Sequence, residues 1–161
     1  MEDLLAAPLQ AQIALVTLAI ALAVSVVTDL RSRLILNAVT YPALLIVAAC
    51  FLWLGGLPLL AESALGLVIC AGPFALMMWR GWMGAGDVKL MALAGAVSGA
   101  AAGWPFSLTI LLYVAVAGGV QSVAWMVAAK TRGEGRPKYV PYGVSIATGT
   151  LAAFLWGGSF F

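Results

Sequence analysis

Residues 9–33 read LQAQIALVTLAIALAVSVVTDLRSR. The run is apolar or small for about the 20 residues that a helix needs to cross a bilayer, and it stops at Thr28. Asp29, Arg31 and Arg33 follow at once. The same alternation of long apolar runs and short polar punctuation recurs to the end of the chain. It predicts spans at 9–28, 38–55, 62–79, 88–104, 106–129 and 141–160. The expected architecture is an all-α polytopic bundle of six transmembrane helices.

Composition points the same way. Of 161 residues, 64% are hydrophobic and 9% charged, with mean hydropathy +1.09. A soluble domain carries about a quarter charged residues, so no soluble core accounts for this chain. The expected surroundings are a lipid bilayer. The net charge of +2 gives no reason to expect a nucleic-acid partner. Cys50 and Cys70 lie inside apolar runs without Cys-x-x-Cys spacing, and the chain has no His. Both cysteines read as apolar fillers, and no metal or other cofactor is expected.

The placement of charge orients the bundle. All eight basic residues fall in three places: Arg31 and Arg33, then Arg80 and Lys89, then Lys130, Arg132, Arg136 and Lys138. These are alternate loops. The intervening segments, Gly55-Gly56-Leu57-Pro58 and Gly103-Trp104-Pro105, hold no Lys or Arg. The positive-inside rule then puts the basic loops in the cytoplasm and both termini in the periplasm. Met1-Glu2-Asp3 is acidic where a cleavable signal peptide would be basic, so the first run is expected to stay as an anchor. Residues 1–161 read as one integral-membrane domain. The polar stretch 130–138 reads as a cytoplasmic loop, a topology determinant before a binding surface. Gly95, Gly99 and Gly103, four residues apart, predict a helix face that a neighbour approaches closely.

Four of the six acidic residues have simple places: Glu2, Asp3 and Glu62 at the outer face and Glu134 in the basic loop. Asp29 and Asp87 remain, and ionisable groups near membrane depth usually mark a functional path. Asp87, in Gly84-Ala85-Gly86-Asp87-Val88-Lys89-Leu90, has a structural reading as the cap of its own helix. Asp29 closes an apolar run at a helix C-terminus, where a negative charge opposes the macrodipole, unless Arg31 or Arg33 compensates it. As a pair on one face of the membrane, two carboxyls can share a proton. The ionised one then activates a water while the protonated one polarises a carbonyl. That is aspartic-protease chemistry, and it needs neither His nor metal. Gly84 and Gly86 leave the backbone near Asp87 free to bend and to admit an extended strand. Lys89 reads first as an interfacial cation, with a bias on Asp87 as the second reading. Pro141 at a first helical turn needs no functional explanation.

These residues resemble the type IV prepilin peptidases, a family of intramembrane Gly-x-Gly-Asp aspartic peptidases. The matching stretches are Thr28-Asp29-Leu30-Arg31-Ser32-Arg33-Leu34-Ile35-Leu36-Asn37, Gly84 to Leu90, and Val140-Pro141-Tyr142-Gly143-Val144-Ser145-Ile146-Ala147. The resemblance implies Asp29 and Asp87 as the catalytic pair, with Gly84, Gly86, Lys89, Asn37, Pro141, Tyr142 and Gly143 in support. Leu36 stands where the family often has Pro, so the local turn is expected to differ. The chain carries no Cys-x-x-Cys part of the kind that the larger methylating members have. It is similar to the small, peptidase-only form of Flp-type (Tad) pilus systems. The resemblance further implies a prepilin substrate with a short basic leader, a bacterial inner-membrane location, and a place beside other pilus-assembly proteins. Two other classes stay open on the residues alone: a small proton-coupled transporter using the two Asp residues, and a structural subunit in which they bind helices together.

Overall fold

The computed structural model describes residues 9–133 and 141–157, and the described residues are helical with short connections. Five helices follow one another: α1 (Leu9–Ser32), α2 (Asn37–Trp79), α3 (Ala85–Ala102), α4 (Trp104–Thr131) and α5 (Tyr142–Trp156). The acidic N-terminus and most of the basic stretch 130–138 lie outside the described residues, so the predicted positions of both termini do too.

α1, α2 and α4 are long and apolar enough to cross a membrane. At 43 residues α2 is far longer than one crossing requires. It divides at Gly56, where φ 65° and ψ −153° leave the helical region, into limbs 37–55 and 57–79. The contacts of the limbs set their directions. Asn37 meets Lys89 near the start of α3, whereas Glu62 lies against Gly99 near its end. The chain therefore runs out along one limb and back along the other. The loop expected around Gly55-Gly56-Leu57-Pro58 is a reversal at a single glycine, with Pro58 already inside the returning limb.

α3 occupies the centre. Every residue from Leu90 to Gly99 is buried, which suits a helix apolar on all sides. Small residues make that position possible. A Cβ on Gly66 would strike the Gly95 carbonyl, and one on Gly99 would strike the Glu62 carbonyl. The returning limb of α2 and the face of Gly95 and Gly99 thus meet backbone to backbone. Gly103, predicted on that same face, instead ends α3 with φ 80° and ψ 164° and hands the chain directly to α4. Its lack of a Cβ serves the turn, not the packing.

The remaining helices alternate in direction around α3. Ala14, Leu18, Ala21, Leu22, Ser25 and Asp29 form the buried face of α1. α5 packs along α4, where a Cβ on Gly149 would enter the Val114 backbone and Phe154 sits edge-on to Phe106 at 5.4 Å. Outward faces are apolar, with Ile20, Leu45, Leu57, Val68, Leu112 and Leu151 among the exposed side chains. All six tryptophans have exposed surface, Trp53, Trp104 and Trp156 towards one end and Trp79, Trp82 and Trp125 towards the other. Such belts mark the two levels at which amphipathic rings meet the membrane–water interfaces. The molecule is an α-helical membrane protein.

Candidate active site

One end of the bundle gathers the end of α1, the start of α2, the start of α3, the end of α4 and the start of α5. Asp29 and Asp87 are both there, at 1% and 7% exposure, and they are the buried acidic residues among those described. The charge of Asp29 acts on Asp87, so the two carboxyls lie within electrostatic reach of each other.

Asp87 is held by its own helix. It occupies the first turn of α3, and its Oδ2 accepts the Gly84 N–H at 3.3 Å. A carboxylate there complements the positive end of the helix and one of its unsatisfied donors. The capping reading of Asp87 is therefore correct as far as it goes, and it leaves the other carboxylate oxygen outside that bond.

Asp29 is held from the far side of the chain. α1 ends at Ser32, the Arg33 N–H donates to the Asp29 carbonyl at 3.0 Å, and Arg33 takes the left-handed φ of 54°. The Asp29 carboxylate meets the first turn of α5, where Oδ2 accepts the Gly143 N–H at 2.8 Å. The unfavourable end of one helix is thus offset by the favourable end of another. Gly143 has to be glycine for this approach, because a Cβ there would lie 2.8 Å from Asp29 Oδ2 and 3.1 Å from its Cβ. Pro141 and Tyr142 introduce that turn, and the Tyr142 ring lies against Gly118 of α4.

Gly86 brings the two halves together. A Cβ on it would sit 2.6 Å from Ile35 Cβ, so the connection after Asp29 lies directly on the first turn of α3. Lys89 Nζ donates to Asn37 Oδ1 at 2.6 Å and stands 4.6 Å over the Tyr41 ring, tying the start of α2 to the same turn. The Leu36 backbone, at φ −75° and ψ 126°, has a φ that proline would also impose, so this corner keeps a proline-compatible shape despite the substitution.

A pocket of about 110 Å³ opens at Asp29, lined also by Leu30, Arg33, Trp125 and Pro141. It shares Leu30, Trp125 and Pro141 with a groove of about 600 Å³ that continues between α4 and α5 past Val120 and Val144. Gln121 lies in that wall. Its Nε2 donates to the Pro141 carbonyl at 2.7 Å, and its Oε1 accepts the Ser145 hydroxyl. Sequence reasoning missed Gln121, although an amide in the middle of an apolar helix is itself a signal. Away from the site, Glu62 accepts the Trp104 N–H at 3.2 Å, and the buried Cys70 thiol donates to the Ser107 carbonyl.

Searches of curated proteins and of solved structures each found no match. The type IV leader peptidase family matches residues 16–123, two-thirds of the chain, a range that holds both aspartates, Gly84, Gly86, Lys89, Asn37 and Gln121. With that match over two-thirds of a bundle of apolar helices, the chain belongs to the type IV leader peptidase family, and it is a peptidase.

Proposed function

We propose that the protein is an aspartic-type endopeptidase that removes the short leader from Flp-type prepilins at the cytoplasmic face of the bacterial inner membrane. In this reading all six helical segments span the bilayer, both termini are periplasmic, and residues 1–161 form one peptidase domain. The observation that carries it is the pair Asp29 and Asp87, both buried, each oriented by a backbone N–H at a helix start, and within electrostatic reach of each other.

The chemistry follows from two carboxyls sharing one proton. The ionised carboxylate takes a proton from a water as its oxygen attacks the scissile carbonyl carbon, and the protonated carboxyl gives its proton to the carbonyl oxygen. The resulting gem-diol collapses, the C–N bond breaks, and the amine leaves with a proton from the pair. Gly84 puts no side chain beside the Asp87 carboxylate, Gly86 is taken up by its contact with Ile35, and the pocket and groove at Asp29 give an extended peptide a way in. A proton-coupled transporter is less well supported, since the buried carboxyls among the described residues sit together at one end and leave no relay through the bundle.

Co-expression with a tagged Flp-type prepilin tests the reading. Asp29→Asn and Asp87→Asn are each expected to lower leader cleavage by about 10²–10⁴-fold while the protein stays folded in the membrane. Cleavage that survives either change removes that residue from the pair.

A further inference from the structure

We propose that Gln121 is a positioning residue: through Pro141 and Ser145 it holds the first turn of α5 so that the Gly143 N–H orients the Asp29 carboxylate. The inference rests on Asp29 being one of the catalytic pair.

The N–H groups in the first turn of a helix have no partner within the helix, so their direction depends on what holds that turn. Gly143 is the second residue of α5, and its N–H goes to Asp29 Oδ2 at 2.8 Å. Pro141, two residues before it, gives its carbonyl to Gln121 Nε2 at 2.7 Å. Ser145, two residues after it, gives its hydroxyl proton to Gln121 Oε1. One side-chain amide therefore spends its donor on one side of Gly143 and its acceptor on the other. The assignment of its two ends is unambiguous, because a proline carbonyl can only accept.

The base of this clamp is firm. Gly118, three residues before Gln121 on α4, takes the Tyr142 ring, and further along the Val114 backbone meets Gly149. The clamp also answers why an amide occupies this helix at all. An apolar side chain would cost nothing to bury here, whereas Gln must have its polar atoms satisfied. Those bonds go to the turn that carries the Asp29 donor.

The test compares wild type with Gln121→Met, Ser145→Ala and the double variant, reading kcat and KM on a prepilin and hydrogen exchange in the segment 141–145. Met matches Gln in length and is apolar, so α4 stays packed and the variant is expected to purify folded. Gln121→Met should lower kcat at least about tenfold with KM within about twofold, and should speed exchange at Gly143. Ser145→Ala should cost about threefold, and the double variant should be no worse than Gln121→Met, since Ser145 acts through the same amide. A kcat for Gln121→Met within about twofold of wild type, a loss carried by KM, or losses that multiply in the double variant would overturn the proposal. Unchanged exchange at Gly143 overturns it whatever the substrate. Wild-type protein that leaves prepilin uncut while exchange still responds to Gln121→Met brings down the substrate reading and sustains the clamp.

Discussion

The two ends of the bundle are built by opposite means. Away from the aspartates, the reversal within α2 and the passage from α3 to α4 each turn on one residue, Gly56 and Gly103, in a backbone region open in practice only to glycine. Proline follows each two residues later, in Gly56-Leu57-Pro58 and Gly103-Trp104-Pro105, and starts the next helix with its φ already set. Little chain is spent there, and beyond the two glycines one long-range bond, from the Trp104 N–H to Glu62, ties the turns together. At the aspartate end the connections are longer, and order comes from bonds between segments distant in sequence: Gly143 to Asp29, Lys89 to Asn37, Gln121 to Pro141. The glycine end holds the fold, and the aspartate end holds a geometry. Substitutions at the two ends should therefore separate stability from activity.

Outside the aspartates themselves, the largest effect is expected from Gly143→Ala. The added methyl would lie 2.8 Å from Asp29 Oδ2, so the carboxylate or the start of α5 has to move. Displacements of about 1 Å in a catalytic group cost about 10²-fold, and leader cleavage should fall by about that much with the thermal unfolding midpoint in detergent little changed. Equal loss of both would place Gly143 among the residues that hold the fold.

Gly99→Ala tests the crossing between the two ends. Its Cβ would overlap the Glu62 carbonyl, and backbone gives way less readily than a flexible side chain. Forcing the returning limb of α2 from α3 is expected to destabilise by about 2–3 kcal/mol, read as a lower unfolding midpoint. Cleavage per folded molecule should fall less than in Gly143→Ala.

At the glycine end, Gly103→Ala and Gly56→Ala should each cost about 1–3 kcal/mol of stability from backbone strain alone, since each position has at most ordinary contacts for a methyl. Cleavage by the folded fraction should match wild type. A drop in kcat from either would mean that strain at one end reaches the other through α3.

Much of this was legible in the sequence, for local reasons. Apolar runs of helical length give the segments, and the spacing of Gly95 and Gly99 gives the close crossing. Asp29 and Asp87 stood out because an acidic residue at such a place needs an explanation. Gly103 was misread because a four-residue repeat cannot distinguish a packing face from a cap that happens to continue its spacing. The compensation of Asp29 was expected nearby, in Arg31 or Arg33, and Arg33 does line the pocket at Asp29; the Gly143 N–H adds a bond that no local signal in either stretch connects to it. Gln121 was passed over for a similar reason. Its value lies in the turn that it touches twenty residues further along the chain.

The smallest expected effect concerns Leu36, where the sequence departs from the family and a different turn was expected. Its φ of −75° lies within the range that proline imposes, and it is the cap preceding α2. Its carbonyl carries the hydrogen bonds of this corner, from the N–H groups of Val39 and Thr40, and the Thr40 hydroxyl also reaches it. Proline keeps that carbonyl and restricts the unfolded chain. Leu36→Pro is therefore expected to stabilise the protein by about 0.4–1 kcal/mol and to leave leader cleavage unchanged. A destabilised variant would show that the Leu36 N–H or the freedom of Ile35 is needed here.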